Sequence, residues 1–401
     1  MPIEVTSQGR VITLAGSLDD AATPARFAAV LQSVIDAGHD AVEVIAEVTG
    51  RRLPGVTAAL ASICGYHRSQ GPSIVFGGPA DAAALAQYSF IAPQRATLQS
   101  LGEARDLFGR VWAFDRAGAD LLVEAIAGKA QERLTFAPGV YAAASWVLSE
   151  LVDNALEHSG VGCGFIEVQA NVSAQHLDIC VADYGRGLPS ADDAEWSARA
   201  RTLAAPGEQR GAGGLAGLAR LMTLVTGRTR IVSGAATLTI DRGSGALVHA
   251  EQAEPLAPSL GFVVDVQLGT GRSIEMAAFV GEQEGEGGEG GTETGTPSAA
   301  ASTFRIAEHA RGTATRFAAA EVRAAFEQAL ANQQMVALDF GRCVVVSSAF
   351  ADELVGPIVS RLGARAFADA VRLVGMNAAV APVVRHAIRL RAQALEVNET
   401  R

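Results

Sequence analysis

The chain has 401 residues, 49% of them hydrophobic and 19% charged, and a formal net charge of -11. This length allows two or three domains with separate cores. The acidic balance argues against nucleic acid as a main partner, because phosphate backbones bind basic patches. The sequence has no apolar run of about 18 residues that would predict a membrane span, and no signal peptide is predicted at its start. We therefore expect a cytoplasmic globular protein that binds neither nucleic acid nor membrane.

The cysteines and the single lysine exclude several kinds of site. The four cysteines lie far apart and form no CxxC pair, which is typical of a reducing compartment and argues against a zinc ribbon or a disulfide framework. Lys129 is the only lysine, and its surroundings, AIAGKAQER, match neither a P-loop nor the strand lysine of eukaryotic-type protein kinases. Any ATP chemistry must therefore work without those lysines.

Residues 1–107 predict a small α/β domain. The segments RVITLAG, AVEVIAEV and SIVFGG are strand-like, and they are followed in turn by helical ATPARFAAVLQSVIDAG, PGVTAALASICGYHRSQG and DAAALAQYSF. This alternation is typical of a parallel or mixed sheet with covering helices.

Residues 108–280 follow a different order. Two helical segments come first, AGADLLVEAIAGKAQERL and PGVYAAASWVLSELVDNALEHSG. The strand-like segments that follow, interrupted by helical LAGLARLMTLVTG, are GFIEVQANV, HLDICVADYG, RIVSG, ATLTIDR and GFVVDVQLG. The pattern predicts an α/β sandwich with one face of its sheet covered.

The last third begins with a change in composition. Residues 281–302 are dominated by Gly, Glu, Thr and Ser and contain nothing that could anchor a core, so they predict a disordered linker. In residues 303–401 strand-like TFRIAEH, MVALDFG and VRLVGM again alternate with helical segments. We interpret the two ends as copies of one fold around a different centre.

The segment SELVDNALEHS, residues 149–159, concentrates polar side chains on one helix. Glu150 and Asn154 are one helical turn apart and point the same way, while apolar residues fill the other face. Taken alone, such a polar stripe is typical of a solvated surface helix.

A second segment, VADYGRGLP at residues 181–189, is a strand that runs into Asp183-x-Gly185-x-Gly187. Glycine is needed where a backbone turns with positive φ or approaches a ligand closely. An ordinary tight turn after a strand gives the same pattern.

A third segment, RGAGGLAGLARLM at residues 210–222, places Gly211, Gly213, Gly214 and Gly217 at the start of an apolar helix. Exposed N–H groups at a helix start behind a glycine loop suit a polyphosphate. A flexible hinge is the alternative interpretation.

The order and spacing of these three segments resemble the N-box, G1-box and G2-box series of the GHKL ATPases, the family of gyrase, Hsp90, histidine kinases and MutL. SELVDNALEHS most resembles the anti-sigma-factor serine kinases, in which E-x-x-x-N-A-x-x-H recurs. The resemblance covers roughly residues 120–270. It implies a central GHKL (Bergerat) α/β sandwich with a mixed sheet.

This resemblance also implies a site for ATP and Mg²⁺. Glu150 would be the general base, and Asn154 would bind Mg²⁺ through its amide oxygen. Asp183 would accept the adenine amino group, while Gly185 and Gly187 would let the backbone pass the base. Gly211, Gly213 and Gly214 would cradle the β- and γ-phosphates, under an ATP lid of residues 188–210. Leu215 would belong to the same ATP-binding segment, and Gly217 would allow tight packing of the helix. The sequence departs from the family at Phe262, where the family often has Thr.

Residues 338–356, LDFGRCVVVSSAFADELVG, resemble the STAS-like group related to anti-sigma-factor antagonists. Partner kinases phosphorylate a serine in the corresponding turn of those proteins, so Ser347 and Ser348 are the candidate phosphoacceptors. Val346 stands where the antagonists have Asp. A phosphate at a helix N-terminus is compatible with the helix dipole, but either serine could instead be the N-cap of the following helix.

The flanking domains are therefore expected to be two small STAS-like βαβα domains. The first lacks a serine in the corresponding turn, EVTGRRLPG. We interpret it as a docking or dimerising module, which leaves a homodimer open.

Together these features predict a bacterial, cytoplasmic signal-transduction protein of anti-sigma-factor type. It would use ATP and Mg²⁺ as a serine protein kinase or an ATPase, acting on a STAS-like domain in cis or on a partner, a STAS-like or sigma-factor-type regulator. The alternative is a non-catalytic nucleotide switch whose lid controls docking of the end domains. Glu150 favours catalysis, because binding alone needs no base.

Overall fold

The computed structural model describes the chain except for residues 1–2, 79–87, 188–213, 234–235, 242–246, 253–260, 275–301, 311, 332–334, 344, 378–379 and 400–401. The predicted lid, Gly211, Gly213, the linker up to residue 301 and most of the helical segment DAAALAQYSF therefore lie outside the described residues.

The chain divides into two compact units. Residues 1–137, 151–206 and 225–272 form the first, and residues 138–150, 207–224 and 273–401 form the second. Our predicted domain boundaries after residues 107, 280 and 302 stay predictions.

The first sheet of the first unit has, among the described residues, the strand order β1-β2-β3-β4. These strands are β1 (Glu4–Gln8), β2 (Val11–Leu18), β3 (Ala41–Arg52) and β4 (Ser73–Phe76). β1 pairs antiparallel with β2, and the other two pairs are parallel. Helices α1 (Thr23–Asp36) and α2 (Pro54–Ser69) make the parallel connections, and a proline near the start of each favours helix initiation. The predicted strands β2, β3 and β4 and both helices are confirmed, whereas β1 was not predicted.

The second sheet of the first unit follows, within the described ranges, the order β11-β10-β9-β12-β8-β7-β6-β5. Its strands are β5 (Gln94–Arg95), β6 (Val111–Asp115), β7 (Cys163–Asn171), β8 (His176–Asp183), β9 (Gly227–Ser233), β10 (Ala236–Asp241), β11 (Leu247–Gln252) and β12 (Phe262–Gly269). The pairing of β5 with β6 is parallel and the other pairings are antiparallel, which confirms a mixed α/β fold. The last strand, β12, lies between β8 and β9.

Four helices accompany this sheet in sequence. They are α3 (Leu98–Glu103), α4 (Ala119–Arg133), α5 (Val140–His158) and α6 (Gly214–Leu224). Residues 140–150 of α5 belong to the second unit and residues 151–158 to the first. No helix among the described residues is both long and apolar enough to cross a membrane.

The large sheet is covered on both faces at β7 and β8, whereas the sequence predicted one covered face. On one face α2 packs closely, because a Cβ added at Gly65 would lie 2.6 Å from Cζ of Phe165. The preceding residue of the strand, Gly164, faces the other way, and its added Cβ would lie 3.1 Å from Cβ of Ala155 in α5. The difference arises because the first domain's own helix contributes the second layer, so both sheets share one core.

A row of polar side chains lies beneath the start of α2. Glu167 is paired across the strands with Cys180, and Cys180 with Asp265. Thr57, in the first turn of α2, donates a hydrogen bond to Glu167. Burial is the main cause that raises the pKa of Asp265 to about 7, and the negative charge of Asp178 is the second. Carboxyl groups near a helix N-terminus interact favourably with its dipole, so the row is suited to this place.

The second unit contains, in its described part, a parallel sheet in the order β13-β14-β15. Its strands are β13 (Ser302–Arg305), β14 (Val336–Asp339) and β15 (Val371–Val374), and its helices beyond α6 are α7 (Ile306–His309), α8 (Arg316–Ala331), α9 (Ser348–Leu362), α10 (Ala364–Ala370) and α11 (Val380–Glu399). The segments MVALDFG and VRLVGM form strands as predicted. TFRIAEH is a strand only to Arg305, after which α7 begins.

Candidate functional site

Helix α5 carries the two polar residues that the sequence singled out. Glu150 is 6% exposed, and Asn154 is partly buried one turn further along. The Nδ2 atom of Asn154 is buried and has no hydrogen-bond partner among the described residues. A buried polar atom without a partner costs about 1–3 kcal/mol. Because the two amide atoms exchange places by rotation of the side chain, this position fits a ligand or metal that would satisfy the amide.

Strand β8 ends at Asp183, whose side chain is 3% exposed. Its Oδ1 atom accepts a hydrogen bond of 2.8 Å from the backbone N–H of Gly185. Burial raises the pKa of Asp183 to about 6, and the bond from Gly185 opposes that rise. A buried carboxylate with one backbone donor retains the capacity to accept a further hydrogen bond from a ligand amino group.

The loop after Asp183 passes very close to the residue that precedes β12. A Cβ added at Gly261 would lie 2.5 Å from the backbone N and O of Gly185. Gly187 has φ +65°, and its added Cβ would lie 2.6 Å from the oxygen of Gly261. Glycines are therefore required here by backbone packing as well as by any ligand. Gly261 was not predicted as a site residue, although its place before Phe262, where the family often has a Gly-Thr pair, was a usable signal.

Arg186 ties this loop to the C-terminal end of α5. Its backbone N–H donates to the oxygen of Ser159 at 3.0 Å, and its Nε donates to the oxygen of His158 at 2.8 Å. Arg186 is three residues from Asp183, and His158 is one helical turn from Asn154. The structure thus brings the first unit's predicted site residues, Asn154, Asp183, Gly185 and Gly187, to one edge of that unit.

Helix α6, in the second unit, begins at Gly214. Gly214 and Leu215 are in its first turn, where backbone N–H groups have no partner within the helix. Gly217 is buried inside the helix beside buried Leu218. These positions suit the proposed phosphate-binding and packing roles, while Gly211 and Gly213 lie outside the described residues.

The two candidate phosphoacceptors occupy different environments in the second unit. Ser347 is 1% exposed and is the N-cap of α9, where its Oγ accepts from the N–H of Phe350 at 3.0 Å and donates to the oxygen of Ala314. The alternative interpretation as an N-cap is therefore confirmed for Ser347. Ser348 is exposed, and both its N–H and its Oγ lie 3.3 Å from Oε1 of Glu150.

Two family models match the chain. The model described as "Histidine kinase-, DNA gyrase B-, and HSP90-like ATPase" matches residues 139–253. The model described as "STAS-like domain of unknown function" matches residues 318–381. The chain carries a GHKL ATPase domain and a STAS-like domain. The GHKL domain predicted from the three motifs is thereby confirmed, and a domain of this kind implies ATP binding.

The GHKL domain match includes Glu150, Asn154, Asp183 and the Gly-rich loop, and the STAS-like match includes both serines of the α9 turn. Among solved structures, the B-subunit of the DNA gyrase from Myxococcus xanthus matches at 14% identity with a TM-score of 0.22. That match covers 37% of this chain and only 43% of the gyrase chain, and at this TM-score it adds nothing to the assignment. Comparison with curated proteins gave no match.

Proposed function

We propose that this protein is an ATP-dependent regulator of anti-sigma-factor type, in which the GHKL domain acts as a serine protein kinase, or as an ATPase, on a STAS-like domain. That domain is its own or belongs to a partner. The presence of an ATP-binding domain and a STAS-like domain on one chain supports the proposal. The observation that carries catalysis is Glu150, a buried carboxylate one helical turn before Asn154.

The proposed nucleotide contacts follow from the motif positions. The carboxylate of Asp183 accepts the adenine amino group, and the start of α6, from Gly214 to Gly217, presents backbone N–H groups to the phosphates. The amide oxygen of Asn154 holds Mg²⁺. Such an ion, when bound, neutralises charge on the β- and γ-phosphates.

The proposed task of Glu150 is proton transfer. Its carboxylate orients an attacking hydroxyl or water and accepts the proton from it. Burial supports this task, because a carboxylate with little access to water is held in place and is less well solvated than one on the surface.

The proposed setting is a bacterial cytoplasm, with a STAS-like or sigma-factor-type regulator as the protein partner. The charge of -11 argues against nucleic acid as a partner. The first domain is proposed to be a docking or dimerising module. The proposal therefore includes a homodimer, which a measurement of molecular mass in solution would test.

Incubation of the full chain with γ-labelled ATP and Mg²⁺, together with calorimetry, tests the proposal. We expect ATP binding and either labelled protein or released phosphate in the wild type. Glu150→Gln is expected to lower that turnover by about 100-fold, whereas Glu103→Gln, a change at an exposed glutamate of α3, is expected to leave it unchanged. ATP binding without label or phosphate release would favour the non-catalytic switch. A lack of ATP binding would contradict both functions.

A further inference from the structure

The N-terminus of α9 meets Glu150 within the second unit. One carboxylate oxygen, Oε1 of Glu150, lies 3.3 Å from the backbone N of Ser348 and 3.3 Å from its Oγ. These two residues are 198 positions apart in sequence, so the contact is a product of tertiary structure. A hydroxyl within reach of a carboxylate is the arrangement expected of a nucleophile and its base, and such distances are often long before the substrates bind.

Neighbouring bonds hold the same two segments in register. The residue before Glu150, Ser149, donates from Oγ to the oxygen of Ala314 at 2.6 Å. The residue before Ser348, Ser347, donates from its Oγ to that same oxygen. The N–H of Ser347 also donates to the oxygen of Thr313 at 3.0 Å. Because both segments are hydrogen-bonded to the same carbonyl group, these neighbouring bonds hold Ser348 beside Glu150.

The environments of the two serines separate their roles. A phosphoacceptor must present its hydroxyl oxygen to the γ-phosphorus and leave room for the transferred group. Ser347 is 1% exposed and its hydroxyl is used both as acceptor and as donor in local bonds. Ser348 is exposed, and its hydroxyl lies beside the carboxylate. Only Ser348 meets both conditions.

We propose that Ser348 is the phosphoacceptor, in cis, of the serine kinase proposed above, and this inference rests on that proposed function. In the step, Oγ of Ser348 attacks the γ-phosphorus of ATP, and the hydroxyl proton passes to the carboxylate of Glu150. The bond between the γ-phosphorus and the β–γ bridging oxygen breaks, and ADP leaves with that oxygen. The product is a phosphoserine at position 348.

The same contact makes the reaction self-limiting. The phosphate carries a charge of about -1.5 to -2 at neutral pH. It would lie against the carboxylate of Glu150, and like charges at this distance repel. Once Glu150 has passed on the proton that it accepted, this repulsion opposes a second approach of residue 348 to the base, so each chain is modified once.

Site mapping by mass spectrometry after incubation of the full chain with ATP and Mg²⁺ tests the acceptor. We expect phosphate on Ser348 in the wild type, and loss of that label to background in Ser348→Ala. Ser360→Ala changes an exposed serine at the other end of the same helix and is expected to keep full label. Ser347→Asn keeps an N-cap oxygen without a hydroxyl and is expected to be labelled at Ser348. Phosphate found on Ser347 or elsewhere in the wild type overturns the assignment without any variant.

A mixing experiment tests the cis part. Glu150→Gln keeps the acceptor and lacks the base, and Ser348→Ala keeps the base and lacks the acceptor. We expect neither chain to be labelled when the two are mixed, and we expect the labelling rate constant of the wild type to be independent of protein concentration. Label on the Glu150→Gln chain in the mixture would overturn transfer in cis.

Calorimetric titration with ATP separates failure of this inference from failure of the proposed function. If the wild type binds ATP and releases phosphate but carries no phosphoserine at 348, the inference fails and the ATPase form of the proposed function stands. If it does not bind ATP, both fail.

Discussion

The Nε atom of Arg186 donates a hydrogen bond of 2.8 Å to the carbonyl oxygen of His158, at the C-terminal end of α5. The bond joins the loop that follows Asp183 to the helix that carries Asn154. A cation near a helix C-terminus is favourable because the last carbonyl groups carry partial negative charge. Two motifs far apart in sequence are thereby held at one edge of the first unit.

Arg186→Ala should therefore weaken nucleotide binding more than it weakens the fold. Loss of one charged hydrogen bond, worth about 1 kcal/mol, corresponds to about a fivefold weaker affinity for ATP. The side chain is exposed, so the melting temperature should change little. Calorimetry and thermal melting check both values. Arg272→Ala, at an exposed arginine beyond the opposite end of β12, is the control, and an equal loss of affinity in both variants would contradict the prediction.

The raised pKa of Asp183, about 6, predicts that ATP affinity depends on pH. Below that pH the buried carboxyl group takes up a proton and becomes a poorer acceptor for the adenine amino group. Affinity measured by calorimetry from pH 5 to pH 8 should rise through about 6 and then level off. Asp183→Asn should bind weakly at every pH, and a variant that retains the wild-type profile would exclude Asp183 from adenine recognition.

The same shift predicts the opposite trend for stability. Because burial raises the pKa of Asp183 from 3.8 to about 6, the proton stabilises the folded state. This contribution is complete below the unfolded value and is lost as pH rises through about 6. At pH 7.5 we therefore expect Asp183→Asn to have a melting temperature equal to or above that of the wild type, although it binds ATP weakly. A clear decrease would contradict this prediction.

Close packing of α2 on the large sheet predicts opposite effects for two glycine-to-alanine changes. The Cβ of Gly65→Ala would lie 2.6 Å from Cζ of Phe165, and overpacking of this kind costs about 1–3 kcal/mol. Gly128, in α4, has nothing within 4 Å of an added Cβ. Gly128→Ala should therefore stabilise the protein by up to about 1 kcal/mol through helix propensity. Urea unfolding measures both free energies, and equal effects would show that α2 does not pack as described.

Alanine substitutions at the two serines of the α9 turn should have different effects, one on stability and the other on phosphorylation. Ser347→Ala removes the N-cap bond to Phe350 and should destabilise the STAS-like domain by about 1 kcal/mol. Ser348→Ala should change stability little, because Ser348 is exposed, yet it should abolish the phosphoserine. Thermal melting and phosphopeptide mapping of the same preparations check this, and a reversed pattern would identify Ser347 as the acceptor.

The sequence determined the local elements and the nucleotide motifs of this protein. Helices α1, α2, α4, α5 and α9 and most of the central strands follow from apolar periodicity, because a 3.6-residue or 2-residue period is a property of neighbouring residues. Glu150 and Asn154 could be singled out because they lie one turn apart on the polar face of one helix, and Asp183 because it begins an Asp-x-Gly-x-Gly turn after a strand. Their order along the chain sufficed to recognise a GHKL domain, since the family's motifs are defined by short segments and their spacing.

Only the tertiary structure decided which distant segments meet. It inserted β12 between β8 and β9, so that Gly261 approaches Gly185, and it placed α2 on the second face of the sheet. It also distinguished the buried cap Ser347 from Ser348, which contacts Glu150. These outcomes depend on the shapes and charges of surfaces far apart in sequence, and no local periodicity encodes which of those surfaces pack together.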